Sequence, residues 1–204
     1  MKEKVYIRDI AEIRTMMERS SKFLSLSGWA GILAGIYAFL GAYIAYSLFQ
    51  FNPAEIIYSN VEIPANLHKV IILAIIILIL TIGTALFLSS RKADKRGENL
   101  WNPTSKRLLI SMAVPLITGG LLILILISHG LIGLIAPFTL LFYGLALYNA
   151  SRYTYQDLKT LGLIQITLGI IGSYYVEYGL ILWALGFGLM HIIYGIYLHY
   201  RYER

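Results

Sequence analysis

The chain has 204 residues, of which 58% are hydrophobic and only 14% are charged, and its formal net charge is +6. Because a soluble domain averages about 45–50% apolar and about 25% charged residues, this composition excludes an ordinary soluble domain. The absence of cysteine excludes disulfides, thiolate metal ligands and cysteine nucleophiles. The apolar residues lie in uncharged blocks, and a block of about 20 residues crosses the hydrocarbon layer of a membrane. The sequence therefore predicts a multi-pass membrane protein.

Residues 1–23 predict an amphipathic helix on the cytoplasmic side of the membrane. Their apolar residues recur at helical spacing, at Ile7, Ile10, Ile13 and Met17, with Arg and Glu between them. A helix with one apolar and one charged face lies in the headgroup layer, and the apolar core of a cleavable signal peptide is missing from this stretch. The same helix offers a surface to a protein partner or to a second copy of the chain, and this alternative stays open.

Residues 24–204 predict an all-α membrane domain of six transmembrane helices with both termini in the cytoplasm. All 17 Lys and Arg residues except Lys69 lie before the first span, in the second and fourth connections, or after the last span. Under the positive-inside rule, this pattern indicates a protein of the inner (cytoplasmic) membrane with its basic side inward. Anionic membrane lipids account for the basic charge, so we expect no nucleic-acid partner. The predicted spans are residues 24–49, 69–90, 108–127, 131–150, 161–176 and 179–199.

A spacing shared by the odd-numbered spans predicts three tandem helical hairpins, at residues 24–90, 108–150 and 161–199. In each odd span a polar residue precedes a Gly or Pro by four positions, and a small residue follows four positions later. The even spans share Gly-x-x-Leu followed by Arg, as in GTALFLSSR, YGLALYNASR and YGIYLHYR. Small residues at this spacing let helix backbones approach closely in a membrane. The three sets are Ser27, Gly31 and Gly35; Ser111, Pro115 and Gly119; and Gln165, Gly169 and Ser173.

Three tandem hairpins, together with the segment LGFGLMHIIYGIYL in the last span, resemble the HdeD-type acid-resistance membrane proteins. The resemblance covers about residues 24–200. Those proteins tend to carry a Trp-Pro-Gly-like outer turn, where this chain reads FNP, SHG and EYG. The resemblance implies a bacterial inner-membrane protein linked to stress tolerance, and it implies no catalytic residue.

The side chains that carry chemistry are few, and the sequence predicts no catalytic residue, metal site or cofactor. The acidic residues lie outside the centres of the spans, and no His or carboxylate pair has the spacing of metal ligands within a span. His191 is the exception, because it lies near the centre of the last span, whereas His199 is expected to be solvated at the interface. The predicted polar pocket around His191 consists of His191, Tyr194, Gln165, Tyr143, Asn149, Ser27 and Ser111.

That pocket has three interpretations: a hydrogen-bond network that fixes helix register, a small cavity for a polar ligand, or a pH-responsive switch. The first hypothesis for function is a protein that acts without catalysis, through association with lipid, with itself or with a partner. The alternative is a small transporter or channel with a polar cavity around His191, which Pro115 and Pro137 within the spans favour because broken helices line substrate sites. An intramembrane enzyme using His191 as acid or base has no second catalytic group to support it.

Overall fold

The computed structural model describes residues 22–51, 66–95, 97 and 99–203, and these residues form helices joined by turns, with no strand among them. The predicted surface helix of residues 1–23 lies outside this part of the chain, apart from its last two residues. A π-helix, Ala184–Met190, joins the last two helices, and 3-10 turns precede α4 and α6. The α-helices are α1 (Gly28–Ser47), α2 (Leu67–Lys95), α3 (Pro103–Ser128), α4 (Ile135–Ala150), α5 (Leu158–Tyr174), α6 (Gly179–Trp183) and α7 (His191–Tyr202).

The helices have the length and composition of membrane spans. Within the described residues, five are long and apolar enough to cross a membrane, counting Val176–Tyr202 (hereafter the last span) as one helix. The sixth, α5, is apolar but shorter, with 17 residues. The all-helical fold is therefore confirmed, with helices whose length and composition are those of a membrane protein, while the threefold relation between hairpins stays a prediction.

The first helix, α1, begins at Gly28, four residues after the predicted start of the first span, and residues 23–27 are not helical. Ser27 is extended, with φ −92° and ψ 133°, and makes no side-chain cap hydrogen bond. The backbone N–H of Phe23 donates to the carbonyl of Tyr153 at 2.7 Å, and the hydroxyl of Thr154 donates to the carbonyl of Phe23 at 2.6 Å. Since the turn after α4 satisfies these backbone groups, the apolar side chain of Phe23 is buried without the stretch forming a helix.

The start of α3 also differs from the prediction, since the helix begins at Pro103 and not at residue 108. Asn102 and Ser105 form a capping box, in which each side chain bonds the backbone N–H of the other residue. Pro103 at the first helical position needs no hydrogen-bond partner for its nitrogen. Of the two prolines predicted at mid-span, α3 continues through Pro115, whereas Pro137 lies in the first turn of α4.

Glycines mark the places where the helices approach most closely. A Cβ built on Gly28 would lie 2.6 Å from the carbonyl oxygen of Gly195, and one on Gly35 would lie 2.5 Å from that of Gly188. These contacts pack α1 antiparallel to the last span. A Cβ on Gly144 of α4 would likewise lie 2.7 Å from the carbonyl oxygen of Gly162 in α5. The spacing of small residues therefore marks packing faces, but α1 places its face on the last span rather than on α2.

The helices form two groups that pack against each other at several levels along the bundle. α1 contacts α2 and the last span, while α4 contacts both α3 and α5. A hydrophobic cluster that includes Phe23, Leu108, Leu147 and Leu158 joins the groups, with Tyr194 packed against it. The ends of the helices that carry the Lys and Arg residues meet at the same place, which we call the basic end.

Candidate functional site

The π-helix places one carbonyl oxygen at the centre of a polar cluster. The Gly186 carbonyl accepts a hydrogen bond from Gln165 Nε2 at 2.8 Å and another from His191 Nδ1 at 3.0 Å. A π-helix shifts the backbone hydrogen bonds to an i→i+5 pattern and is often found at functional sites. Gln165 comes from α5, so the cluster ties this helix to the last span.

The same carbonyl determines which nitrogen of His191 carries its proton. Because a carbonyl oxygen only accepts, Nδ1 must be protonated to donate to Gly186. In the neutral ring Nε2 is then an acceptor, and the hydroxyl of Tyr143 donates to it across 2.9 Å. In this neutral tautomer both ring nitrogens of His191 are hydrogen-bonded, and the 3.4 Å contact between Nδ1 and Gln165 Nε2 joins two donors and is not a hydrogen bond.

Protein atoms fill the space around this cluster. The side chain of Gln165 is 0% exposed and that of His191 is 6% exposed. A Cβ on Gly186 would lie 2.5 Å from both Gln165 Oε1 and Leu140 Cδ2. The ring of Phe187 stacks on the imidazole at 5.7 Å between centroids. A charge on His191 would be costly in this environment.

Two buried oxygens near the cluster have no partner. Within the part of the chain that the structure describes, Gln165 Oε1 and the Tyr194 hydroxyl are buried without a hydrogen bond. A buried polar atom left in this way typically costs about 1–3 kcal/mol. These two oxygens could therefore still form hydrogen bonds, whereas both ring nitrogens of His191 already do.

The predicted pocket residues divide into three places. His191, Tyr143 and Gln165 lie together, with Tyr194 one turn further along α7. Ser27 lies before α1 at the basic end. Ser111 and Asn149 line a separate open groove of about 420 Å³ between α3 and α4, together with Arg107, Ile110, Val114 and Tyr153.

An ion cluster at the basic end was not predicted from the sequence. Glu203 accepts hydrogen bonds from the backbone N–H of Gly28 at 2.8 Å, from Lys92 Nζ at 2.9 Å and from His199 Nδ1 at 2.7 Å. Lys92 also donates to the carbonyl of Leu26 at 2.5 Å. His199 is therefore paired with Glu203, while its side chain is still 29% exposed. The i,i+4 spacing of His199 and Glu203 was a signal for this pair, but no local pattern joins either residue to Lys92.

The environment of Glu203 changes the affinity of its carboxyl group for protons. Burial alone raises the pKa, but the hydrogen bonds from His199, Lys92 and Gly28 and the charge of Lys92 outweigh it and lower the pKa of Glu203 to about 2. The carboxylate is thus ionised near neutral pH. It links the start of α1, the end of α2 and the end of the last span.

Comparisons of the chain with protein-family models, with curated proteins and with solved structures gave no match.

Proposed function

We propose that the protein is a multi-pass protein of the inner (cytoplasmic) membrane that acts without catalysis, through association with lipid, with itself or with a protein partner. The observation that carries the proposal is the closed hydrogen-bonding of His191. Both ring nitrogens are occupied by groups of the same bundle, at 2.9 and 3.0 Å. A general acid or base must reach its substrate directly or through one water, and a side chain that is 6% exposed is not placed to do so.

The outer surface supports association as the activity. Of the helices described, α2 is the most peripheral, with only Leu67, Ser89 and Ala93 buried along its 29 residues. Many of its apolar side chains, such as Ile72, Leu78 and Ile79, face outward, as they would toward lipid or a neighbouring helix. The resemblance to HdeD-type proteins adds a role in stress tolerance to the proposal.

The proposed orientation rests on the basic end. The bond between Phe23 and Tyr153 and the ion pair between Lys92 and Glu203 bring basic segments from distant parts of the chain to one end of the bundle. An end of this kind favours the cytoplasmic leaflet, where anionic lipids attract Lys and Arg. Both termini are then cytoplasmic.

Cysteine labelling tests both parts of the proposal, because the natural chain has no cysteine. Leu140→Cys places a single thiol beside the Gly186 cluster. In intact membranes we expect it to resist a charged thiol reagent added to either side, and to react once SDS unfolds the protein. Ser47→Cys and Asn99→Cys, at exposed positions on opposite ends, serve as controls that should react only from the outside and only from the inside, respectively. Labelling of Leu140→Cys in the folded protein would overturn the closed-cluster argument.

A small transporter or channel is the second candidate, and the unpartnered Gln165 Oε1 and Tyr194 hydroxyl favour it. Buried oxygens of this kind are where water or a polar solute would bind. Under this candidate, proteoliposomes would show a proton or solute flux, and Gln165→Leu would reduce it. If the proteoliposomes show no more flux than protein-free vesicles, the transporter candidate fails and association remains the proposed function.

A further inference from the structure

The groove between α3 and α4 has a polar end with unused hydrogen-bond donors. The guanidinium of Arg107, the amide of Asn149 and the hydroxyl of Tyr153 line it, and none of them has a hydrogen-bond or ion-pair partner among the described residues. The hydroxyl of Ser111 donates to the carbonyl of Leu108 at 2.8 Å and so offers its lone pairs to the groove. None of the lining residues is acidic. The polar end is therefore complementary to an anion that also carries ester or hydroxyl oxygens.

The other end of the groove is apolar. Ile110 and Val114 lie on the same face of α3 as Arg107, at the i+3 and i+7 positions. Their side chains are 68% and 66% exposed. Along α3, these two residues lie progressively further from the basic end. If the charged group of a molecule binds Arg107, the rest of that molecule would therefore contact the apolar wall formed by Ile110 and Val114. Inorganic phosphate would leave that wall unused.

The position of the groove agrees with the headgroup region of a membrane. Tyr153 lies in the turn after α4, and its carbonyl accepts a hydrogen bond from the N–H of Phe23. Arg107 lies in the second turn of α3. Both belong to the basic end, while Val114 lies further into the apolar part of α3. Polar groups at the rim and apolar groups toward the interior follow the order of a phospholipid from headgroup to acyl chain.

We propose that this groove binds a single anionic phospholipid. Arg107 pairs with the phosphate, Asn149 and Tyr153 donate to the glycerol and headgroup oxygens, and an acyl chain lies along Ile110 and Val114. The inference rests on the proposed function, of which it specifies the lipid partner. The donor groups, unlike those around His191, are left free by the fold.

The test uses the full chain in phosphatidylcholine nanodiscs to which phosphatidylglycerol is added, with bound lipid counted by native mass spectrometry. Arg107→Gln removes the charge that pairs with the phosphate, so it should weaken phosphatidylglycerol binding by about tenfold. Arg152→Gln is the matched control, because Arg152 is exposed at the same end but does not line the groove. Equal losses in the two variants would mean that only overall surface charge matters and would overturn the site.

A second pair of variants separates a lipid from a free anion. Val114→Ser should weaken phosphatidylglycerol binding, whereas Leu116→Ser, exposed on the opposite face of the same helix and outside the groove, should not. Inorganic phosphate should compete poorly with the lipid. If phosphate competes fully and Val114→Ser has no effect, the site binds an anion and not a lipid. Unchanged melting temperatures would show that the variants fold.

The outcome for the groove can be distinguished from the outcome for the proposed function. If the natural chain prefers phosphatidylglycerol but Arg107→Gln binds it equally well, lipid association stands and the groove is not its site. If the natural chain shows no preference over phosphatidylcholine, the phospholipid assignment fails, while the closed His191 cluster, on which the proposed function rests, is tested separately by the labelling of Leu140→Cys.

Discussion

Gly28 and Gly195 face each other so closely that a Cβ on either one would lie 2.6 Å from the carbonyl oxygen of the other. No side chain lies between the two backbones at this point. The contact is made by the first and the last described spans. About two helical turns further along α1, Gly35 makes a similar close approach to Gly188. In a membrane, where lipid solvates apolar side chains well, such close backbone packing is a main source of helix association.

Substituting one of these glycines should separate the helices. Gly195→Ala places a methyl group against backbone atoms of Gly28 and Ile32, which cannot rotate away. We expect a loss of about 1–3 kcal/mol in the free energy of unfolding, measured by SDS titration in mixed micelles. Gly83→Ala is the control, because a Cβ on Gly83 meets nothing within 4 Å. There the better helix propensity of Ala should leave stability unchanged or raise it by up to about 1 kcal/mol, and equal losses at the two sites would contradict the packing account.

Removing the Tyr143 hydroxyl should destabilise the polar cluster without changing its shape. Tyr143→Phe leaves His191 Nε2 buried with no donor, which we expect to cost about 1–3 kcal/mol of unfolding free energy in the same titration. Tyr174→Phe, at a residue that is 78% exposed, should change stability by less than about 0.5 kcal/mol. If Tyr143→Phe leaves the free energy of unfolding unchanged, the hydrogen bond to His191 contributes nothing to the stability of the fold.

The Glu203 cluster should make the stability of the protein depend on pH in the acid range. The pKa of Glu203 is lowered from 4.5 to about 2, so its contribution is present above pH 4.5 and is lost as the pH falls toward 2. We expect the natural chain to lose more stability across this window than Glu203→Gln, whose side chain does not titrate. Glu177→Gln, at an exposed residue, is the control and should follow the natural chain. Parallel pH profiles for the natural chain and Glu203→Gln would contradict this role.

The capping box formed by Asn102 and Ser105 should stabilise the first turn of α3. Asn102→Ala removes the acceptor for the N–H of Ser105, which lies at 2.8 Å from it. The loss should be about 0.5–2 kcal/mol, with faster hydrogen exchange confined to the first turn of α3. Asn102→Asp keeps an acceptor at the same place and should retain most of the stability. Uniform exchange changes along the whole helix would argue against a local cap.

Much of the helical architecture was predictable, because long apolar blocks have few other stable forms in a membrane. The extended stretch before Gly28 was not predictable, because its backbone groups bond residues that are distant in sequence, namely the turn around Tyr153 at Phe23 and Lys92 at Leu26. The π-helix was not predictable either, because Gly186 and Gly188 fit an ordinary helix equally well. In the structure its Gly186 carbonyl accepts a hydrogen bond from Gln165, a residue of another helix.

The polar residues were predicted in part. Gln165 and Tyr143 were placed with His191 because each is a lone polar group within an apolar span. Asn149 and Ser111 were grouped with them, but they face the α3–α4 groove, since the rotation of a helix about its axis is decided by packing. The contact between Lys92 and Glu203 depends entirely on the tertiary fold, because the two residues are 111 positions apart in sequence.

The hydrogen bond from Gly28 to Glu203 joins residues separated by 175 positions in the chain. During synthesis, α1 enters the membrane long before the ribosome has made the helix on which its glycines pack. Insertion therefore proceeds through intermediates in which the face from Gly28 to Gly35 is open to lipid, to the insertion machinery or to another nascent chain. Contacts between distant parts of a chain slow folding, so packing of the last span on α1 is the final step of assembly. Substitutions in the last span should therefore leave a protein that is inserted but not assembled.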